Sequence, residues 1–311
     1  MDTKLEKIES HYGHIFEHLK PAELRAKNVK NDPWPIQTTV PNAHEKDSGT
    51  FLGFYSREGM ELVLEQYGLA SQLRKKNVGD LSVTLGRMEG QYDVFRVNCS
   101  KSPHSLIEMV AHVAPLSPQV QKLVTTGDRP FLHVKWLRMQ NTLAETPPDK
   151  LLLPGQSFPS LGLGREMMVL IMLMCVRLNL DGVLELPERL HNAALYFRRF
   201  RFIDPEMQGI LTAILRDTLD RNLGDLAWGM EAGLLTHVES GKTFRWIPRE
   251  QVLVRTGPVL EFVESEEYRK RARDAMEHNH FSLSRGELAQ DLALTQAASV
   301  RIDNPLPIKI K

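Results

Sequence analysis

Apolar positions recur along this chain first with helical and then with strand spacing. Leu5, Ile8, Tyr12 and Ile15 are spaced for one face of a helix. Met60, Val63, Leu64 and Tyr67 mark a second stripe that Gly68 is placed to stop, and Leu69 to Lys76 can form a short helix after it. Leu81, Val83 and Leu85 alternate, and so do Phe95, Val97 and Cys99, with Gly86 to Gly90 between them, which predicts an antiparallel hairpin. Ser105 to Val113 reads as a short helix with Pro103 near its start. Phe131 to Met139 reads as a strand, with Leu132, Val134 and Trp136 on one face and His133, Lys135 and Leu137 on the other.

The second half continues with an apolar helix from Met167 to Val176, a short strand near Val183–Leu186 and a helix near Leu190–Arg199. Met207, Ile210, Leu211, Ile214, Leu215 and Leu219 predict an amphipathic helix. A second hairpin is expected from Leu234–Val238 and Thr243–Ile247, turning on Glu239 to Lys242, and a charged helix from Phe262 to Met276. Prolines from Pro33 to Pro41 predict an extended stretch, and the tail from Thr295 to Lys311 reads as loosely held. Helices and antiparallel hairpins mix without a repeating βαβ rhythm, so the fold class is α+β rather than a doubly wound sheet. Residues 1–50 read as an N-terminal extension, 51–250 as the core, and 251–311 as a C-terminal helix and tail packing on the core.

Composition narrows the functional classes. Lys+Arg and Asp+Glu are 39 each, so the basic excess of a duplex nucleic-acid binder is absent. Two cysteines, Cys99 and Cys175, cannot organise a disulfide framework, and Cys175 reads as a small buried apolar residue. The polar start Met1–Glu6 lacks the apolar core of a signal peptide, and the apolar run Met167–Val176 is about half the ~20 residues of a membrane span. These features give the expectation of a soluble, cytoplasmic protein with no membrane partner.

The strongest chemical signal is the run Pro154-Gly155-Gln156-Ser157-Phe158-Pro159-Ser160-Leu161-Gly162-Leu163-Gly164-Arg165-Glu166 that feeds the apolar helix. Glycines remove Cβ atoms where a ligand could touch main chain, and free amides at a helix N-terminus attract anions. Arg165 adds a cation beside them, while Glu166 in the same turn would oppose an anion if it faced the same way. The structural alternative is a glycine loop that only lets the helix start close to a strand.

The order strand, Gly-x-Gly loop, helix, short strand and then Asn192-Ala193-Ala194-Leu195-Tyr196-Phe197-Arg198-Arg199-Phe200-Arg201-Phe202 resembles the GNAT superfamily of acyl-CoA-dependent N-acyltransferases. The resemblance covers about residues 56–202. It implies a central mixed, mostly antiparallel sheet flanked by helices. It also implies that Leu161, Gly162, Leu163, Gly164 and Arg165 bind the diphosphate of acetyl-CoA or another acyl-CoA. Gly162 and Gly164 match the family's glycines, whereas Pro159 stands where the family has Gln or Arg. Counting back from Phe202 places Phe197 at the position of the family's proton-donating Tyr and Arg201 at its Gly, so Tyr196 fills the acid role only with a shift of one residue. His133 is the candidate base for an acceptor amine, small molecule or peptide. A homodimer is compatible with this reading. The alternative in another class is a non-catalytic scaffold or regulatory module whose departures at Pro159, Phe197 and Arg201 record a lost site.

Other clusters read as structural. Arg198, Arg199 and Arg201, interleaved with aromatics, suggest phosphate or RNA contact, against a solvated basic edge over core aromatics. Cys99 and His104 lack any flanking catalytic signature. His11, His14 and His18 recur at spacings of three and four, with no acidic or cysteine partner following at ligand spacing, so they read as a solvated face. The methionines of the apolar helix read as core packing.

Overall fold

The computed structural model describes residues 3–25, 49–89, 91–122, 124, 129–146 and 151–284. The extended stretch expected near residues 33–41 and the tail 295–311 lie outside the described residues. The chain divides into two compact units, one of Met1–Glu145, Phe158–Glu185 and Leu253–Leu260, the other of Thr146–Ser157, Leu186–Val252 and Glu261–Lys311.

The first unit opens with α1 (Thr3–His18), α2 (Pro21–Leu24), α3 (Arg57–Gln66) and α4 (Leu69–Arg74). Leu5 and Tyr12 of the predicted stripe are buried on α1, and Ser56 caps α3 by accepting from the amide of Gly59 at 3.0 Å. Strands β1 (Leu81–Met88), β2 (Tyr92–Cys99) and β3 (Ser102–Ala114) follow, then α5 (Pro118–Gln121), β4 (Phe131–Met139), α6 (Gly164–Arg177) and β5 (Gly182–Glu185). The predicted first hairpin is present, but Gly86 lies inside β1 and the turn comes later, at Glu89, whose φ is 52°. The helix expected at Ser105–Val113 is instead β3, the longest strand. Leu106, Ile107, Met109, Val110 and Ala111 are all buried, and since consecutive strand residues point to opposite faces, both faces of β3 are covered. Such a strand loses its alternation and cannot be told from a helix by period.

The second unit contains α7 (Leu190–Tyr196), β6 (Arg201–Phe202), α8 (Pro205–Asp217), α9 (Leu223–Glu231), β7 (Leu235–His237) and β8 (Lys242–Thr243). Strand β9 (Gln251–Val254) and α10 (Pro258–Val263) cross the boundary between units, and α11 (Glu266–Glu277) and β10 (Phe281–Leu283) complete the second. The single helix expected from Phe262 to Met276 is two, because Ser265 caps a fresh start by accepting from the amide of Tyr268 at 3.1 Å. Helices α8 and α11 pack so closely that a Cβ on Gly209 would lie 2.3 Å from the carbonyl oxygen of Ala272.

Seven strands form one sheet in the order β1-β2-β3-β4-β5-β9-β6, and β10-β7-β8 form a second. Pairing in the large sheet is antiparallel from β1 to β4 and between β6 and β9, and parallel between β4 and β5. The fold is therefore α+β, a mostly antiparallel sheet flanked by helices. Among the described residues no helix is long and apolar enough to cross a membrane.

Gly182 sets the spacing at the middle of that sheet. A Cβ there would sit 2.3 Å from the carbonyl oxygen of Leu253. Gly182→Ala is expected to destabilise by about 1–3 kcal/mol, since backbone must move to admit it. Gly13→Ala, inside α1 with nothing within 4 Å of the new Cβ, is expected to stabilise by about 0.5–1 kcal/mol. Denaturant midpoints of the two variants check both signs.

Candidate functional site

The site begins with a change of partner along β4. Its first four residues pair with β5, Phe131 with Gly182 through to Val134 with Glu185. There β5 ends, while β4 continues to Met139. Pairing with β3 passes from Val110–Trp136 to Ala111–Val134, so Lys135 is an extra residue, a bulge at the point where the two parallel strands part. Beyond it, the chain returning from the loop covers the end of β4. Asn141 donates to the carbonyl of Pro159 at 2.7 Å, and Leu161 donates to that of Met139 at 3.4 Å. Alternation along the strand then turns the N–H and C=O of Leu137 to the same edge as those of Met139. Among the described residues no backbone pairs with the edge of β4 at Lys135–Arg138 between the end of β5 and the returning loop.

The loop is held by its apolar residues. Leu161 and Leu163 are each 2% exposed, while Gly162 and Arg165 are exposed and Gly164 is intermediate. Gly162 has φ of 74°, a conformation that by itself calls for glycine. Gly164 has no such need, and a Cβ at either glycine would meet nothing within 4 Å. Helix α6 starts at Gly164 with no capping side chain. Five amides from Leu161 to Arg165 were expected to face a ligand. Leu161 is instead engaged with Met139, and Gly162 donates to Oγ of Ser160 at 3.1 Å. The amides of Leu163 and Gly164 remain at the mouth of the helix.

Glu166 is buried, and it raises the Tyr12 hydroxyl above its usual range together with the larger effect of burial. The carboxylate therefore lies towards α1. Helix α1 packs on α6, and Arg177 at the far end of α6 stacks on Phe16 at 4.1 Å and donates to its carbonyl at 3.1 Å. Cys175 is fully buried, its thiol is pushed up to about 12 by burial, and it points at the carbonyl of Gly182, 3.5 Å away. It is an inert packing group, as the sequence suggests.

Glu185 is the residue that sequence reading missed. It closes β5 at the fork. Part of the residue reaches solvent, but Oε1 is sealed and has no hydrogen-bond partner among the described residues. Burial pushes its carboxyl up to about 8. The available signal was a carboxylate ending the otherwise apolar run Gly182-Val183-Leu184.

The other candidates lie elsewhere. His133 is half-buried with Nε2 3.1 Å from the carbonyl of Ala114 on β3, and its ring lies 4.9 Å from that of His112, also on β3. Tyr92 packs edge-on to His112 at 4.7 Å, and the Lys135 ammonium sits 4.3 Å over Tyr92. His133 thus belongs to an aromatic row leaning over β2 and β3. Burial lowers the pKa of His112, whose Nδ1 is sealed without a hydrogen-bond partner among the described residues. Tyr196 lies in the second unit, at the end of α7, with its ring 5.6 Å from Phe200. Phe200 and Phe202 are buried there, and Arg201 donates to the carbonyls of Phe197 and Phe200 at 3.0 and 3.1 Å. Phe200 and Phe202 are core residues, and Phe197 packs partly buried against the apolar cluster that includes Phe202. His104 is exposed against Phe158, and Cys99 is buried.

A carboxyl raised by burial is more protonated in the folded than in the unfolded chain. It costs nothing below about 4.5 and costs progressively more as pH rises towards 8. Stability is expected to fall across that window, and the difference between wild type and Glu185→Gln is expected to grow in favour of the variant. Melting temperatures of both proteins across the pH range check this. Compared with known protein families and with curated proteins, the chain matches none.

Proposed function

We propose that the first unit is an acyl-CoA-dependent N-acyltransferase core of the GNAT kind, and that it moves an acyl group to an amine. One observation carries the reading: β5 pairs with only the first four residues of β4, and the Gly-x-Gly loop that opens a buried helix folds back onto the far end of the same strand. The part of β4 beyond its pairing with β5 would offer strand-edge hydrogen bonds to an extended amide-bearing arm. The amides of Leu163 and Gly164, with the exposed Arg165 next to them, suit a diphosphate. The open space at both glycine Cβ positions supports close approach to the main chain.

Acyl-CoA supplies a thioester carbonyl that an amine can attack. The residues of this chain supply placement and a proton acceptor. Holding the amine against the acyl carbon is worth the larger share of the rate. As nitrogen adds to the carbonyl carbon and the carbon–sulfur bond breaks, the bonding pair departs with sulfur as the CoA thiolate, and the amine proton must leave. Glu185, at the fork and with a carboxyl raised into the neutral range, is the proposed acceptor in place of His133, whose Nε2 is turned to β3. Tyr196 belongs to the second unit, and the proposed chemistry does not depend on it.

A second reading has its own support. Two of the five expected amides are already engaged within the protein, and Pro159 occupies the position of a polar residue in the family's loop. Both fit a unit that keeps the fold without the activity.

Melting curves with acetyl-CoA and longer acyl-CoAs separate the two readings. Catalysis predicts a rise in melting temperature with one of these donors, lost in Gly164→Glu, whose new side chain would fill the anion position. The open space at that Cβ predicts that the variant melts like the wild type without ligand. No rise with any donor supports the scaffold. Where a donor binds and turnover with an amine is found, Glu185→Gln is expected to lower kcat by about 10²–10⁴-fold. In the wild type kcat rises as pH passes about 8, where Glu185 loses its proton; in the variant that rise is absent.

A further inference from the structure

The last turn of α1 carries the run His14-Ile15-Phe16-Glu17-His18. A spacing of four puts both histidines on one helix face, and a spacing of three brings Glu17 round to the same side as His14. Sequence spacing groups His11 with the two histidines and sees no acidic partner. The structure exchanges that grouping: a ligand atom from each of His14, Glu17 and His18 lies within 4.8 Å of the others, and His11 is not among them. The rings of His14 and His18 are 4.4 Å apart, and all three side chains are exposed.

Two features prepare the cluster for a cation. Nδ1 of His18 lies 2.8 Å from the carbonyl oxygen of His14. A carbonyl has no proton to give, so Nδ1 carries the hydrogen and donates it, leaving the lone pair on Nε2. Metal-binding histidines are commonly fixed in this way, with one ring nitrogen donating to a carbonyl and the other ligating. The cluster also occupies the C-terminal turn of a 16-residue helix, the end where the backbone dipole favours positive charge. That turn is anchored from α6, since Arg177 donates to the carbonyl of Phe16, which lies between the ligands.

We propose that His14, Glu17 and His18 form a divalent-cation site, open to solvent, for an ion of the zinc class. Two imidazoles and one carboxylate suit zinc, nickel or copper and discriminate against magnesium and calcium, which prefer all-oxygen sites. Three protein ligands leave a position for water. A bound ion cross-links one turn of α1 and stabilises the end of the helix that packs on α6. The site is independent of the acyltransfer reading.

The test is titration of the full chain with zinc chloride, followed by calorimetry and by melting temperature, with magnesium chloride in parallel. A single ion per chain is expected, with a rise in melting temperature that magnesium does not give. His14→Ala and His18→Ala are each expected to weaken binding by about tenfold or more. Glu17→Gln weakens it, and His11→Ala leaves it unchanged. All four positions are exposed, so each variant is expected to melt like the wild type without metal. Absence of zinc binding overturns the proposal. So does unchanged affinity in both His14→Ala and His18→Ala, or an equal loss in His11→Ala.

Discussion

The architecture around the candidate site depends on how the free edge of β4 is satisfied. Every strand carries a row of N–H and C=O groups that must find partners on both sides. On one side β3 serves β4 along its whole length, apart from the bulge at Lys135. On the other side β5 serves the first four residues, and the returning chain at Pro159–Leu161 serves the last. The stretch between has no backbone partner among the described residues. Strand β5 stops at Glu185, opposite Val134, and on its other side Gly182 lies against the backbone of Leu253 with no room for a methyl group. The gap is thus a consequence of strand length.

Helix α6 makes that gap chemically directional. Its buried residues Met167, Leu170, Ile171, Met174 and Cys175 hold it in the first unit, and α1 packs against it. A helix held this firmly cannot swing its N-terminus away, so the amides at Leu163 and Gly164 keep their direction. Glu166 sits in the first turn but is drawn into the packing towards Tyr12, which leaves the mouth of the helix to the exposed Arg165. Glu185 is the costly feature. A carboxyl with a sealed oxygen that has no hydrogen-bond partner among the described residues weakens the fold at neutral pH.

Legibility in the sequence followed the physical range of each signal. The stripes of α1, α3, α6 and α8 and the first hairpin depend on neighbours within a turn or a pair of short strands, and they were readable. Strand β3 was not, because burial on both faces erased the alternation that distinguishes it from a helix. Strands β6, β9 and β10 are two to four residues long and exist only through their partners. The glycine loop was readable as a helix entry. The loss of the Leu161 and Gly162 amides to Met139 and Ser160 was not, because it requires the loop to fold back along β4. Glu17 escaped for a different reason: it stands three residues after His14 and one before His18, whereas the expected place for an acidic partner was after the histidines at ligand spacing.

By itself the sequence determined the α+β class, the buried helix and the glycines that open it, since hydrophobic period and backbone freedom are local properties. Only the tertiary structure decided where β5 stops, which amides stay unpaired, that His133 faces β3 and that Glu185 ends a strand with a sealed carboxyl oxygen. Each of these depends on which distant segment comes to lie alongside. A one-residue difference in strand length or register changes the answer without changing the hydrophobic pattern.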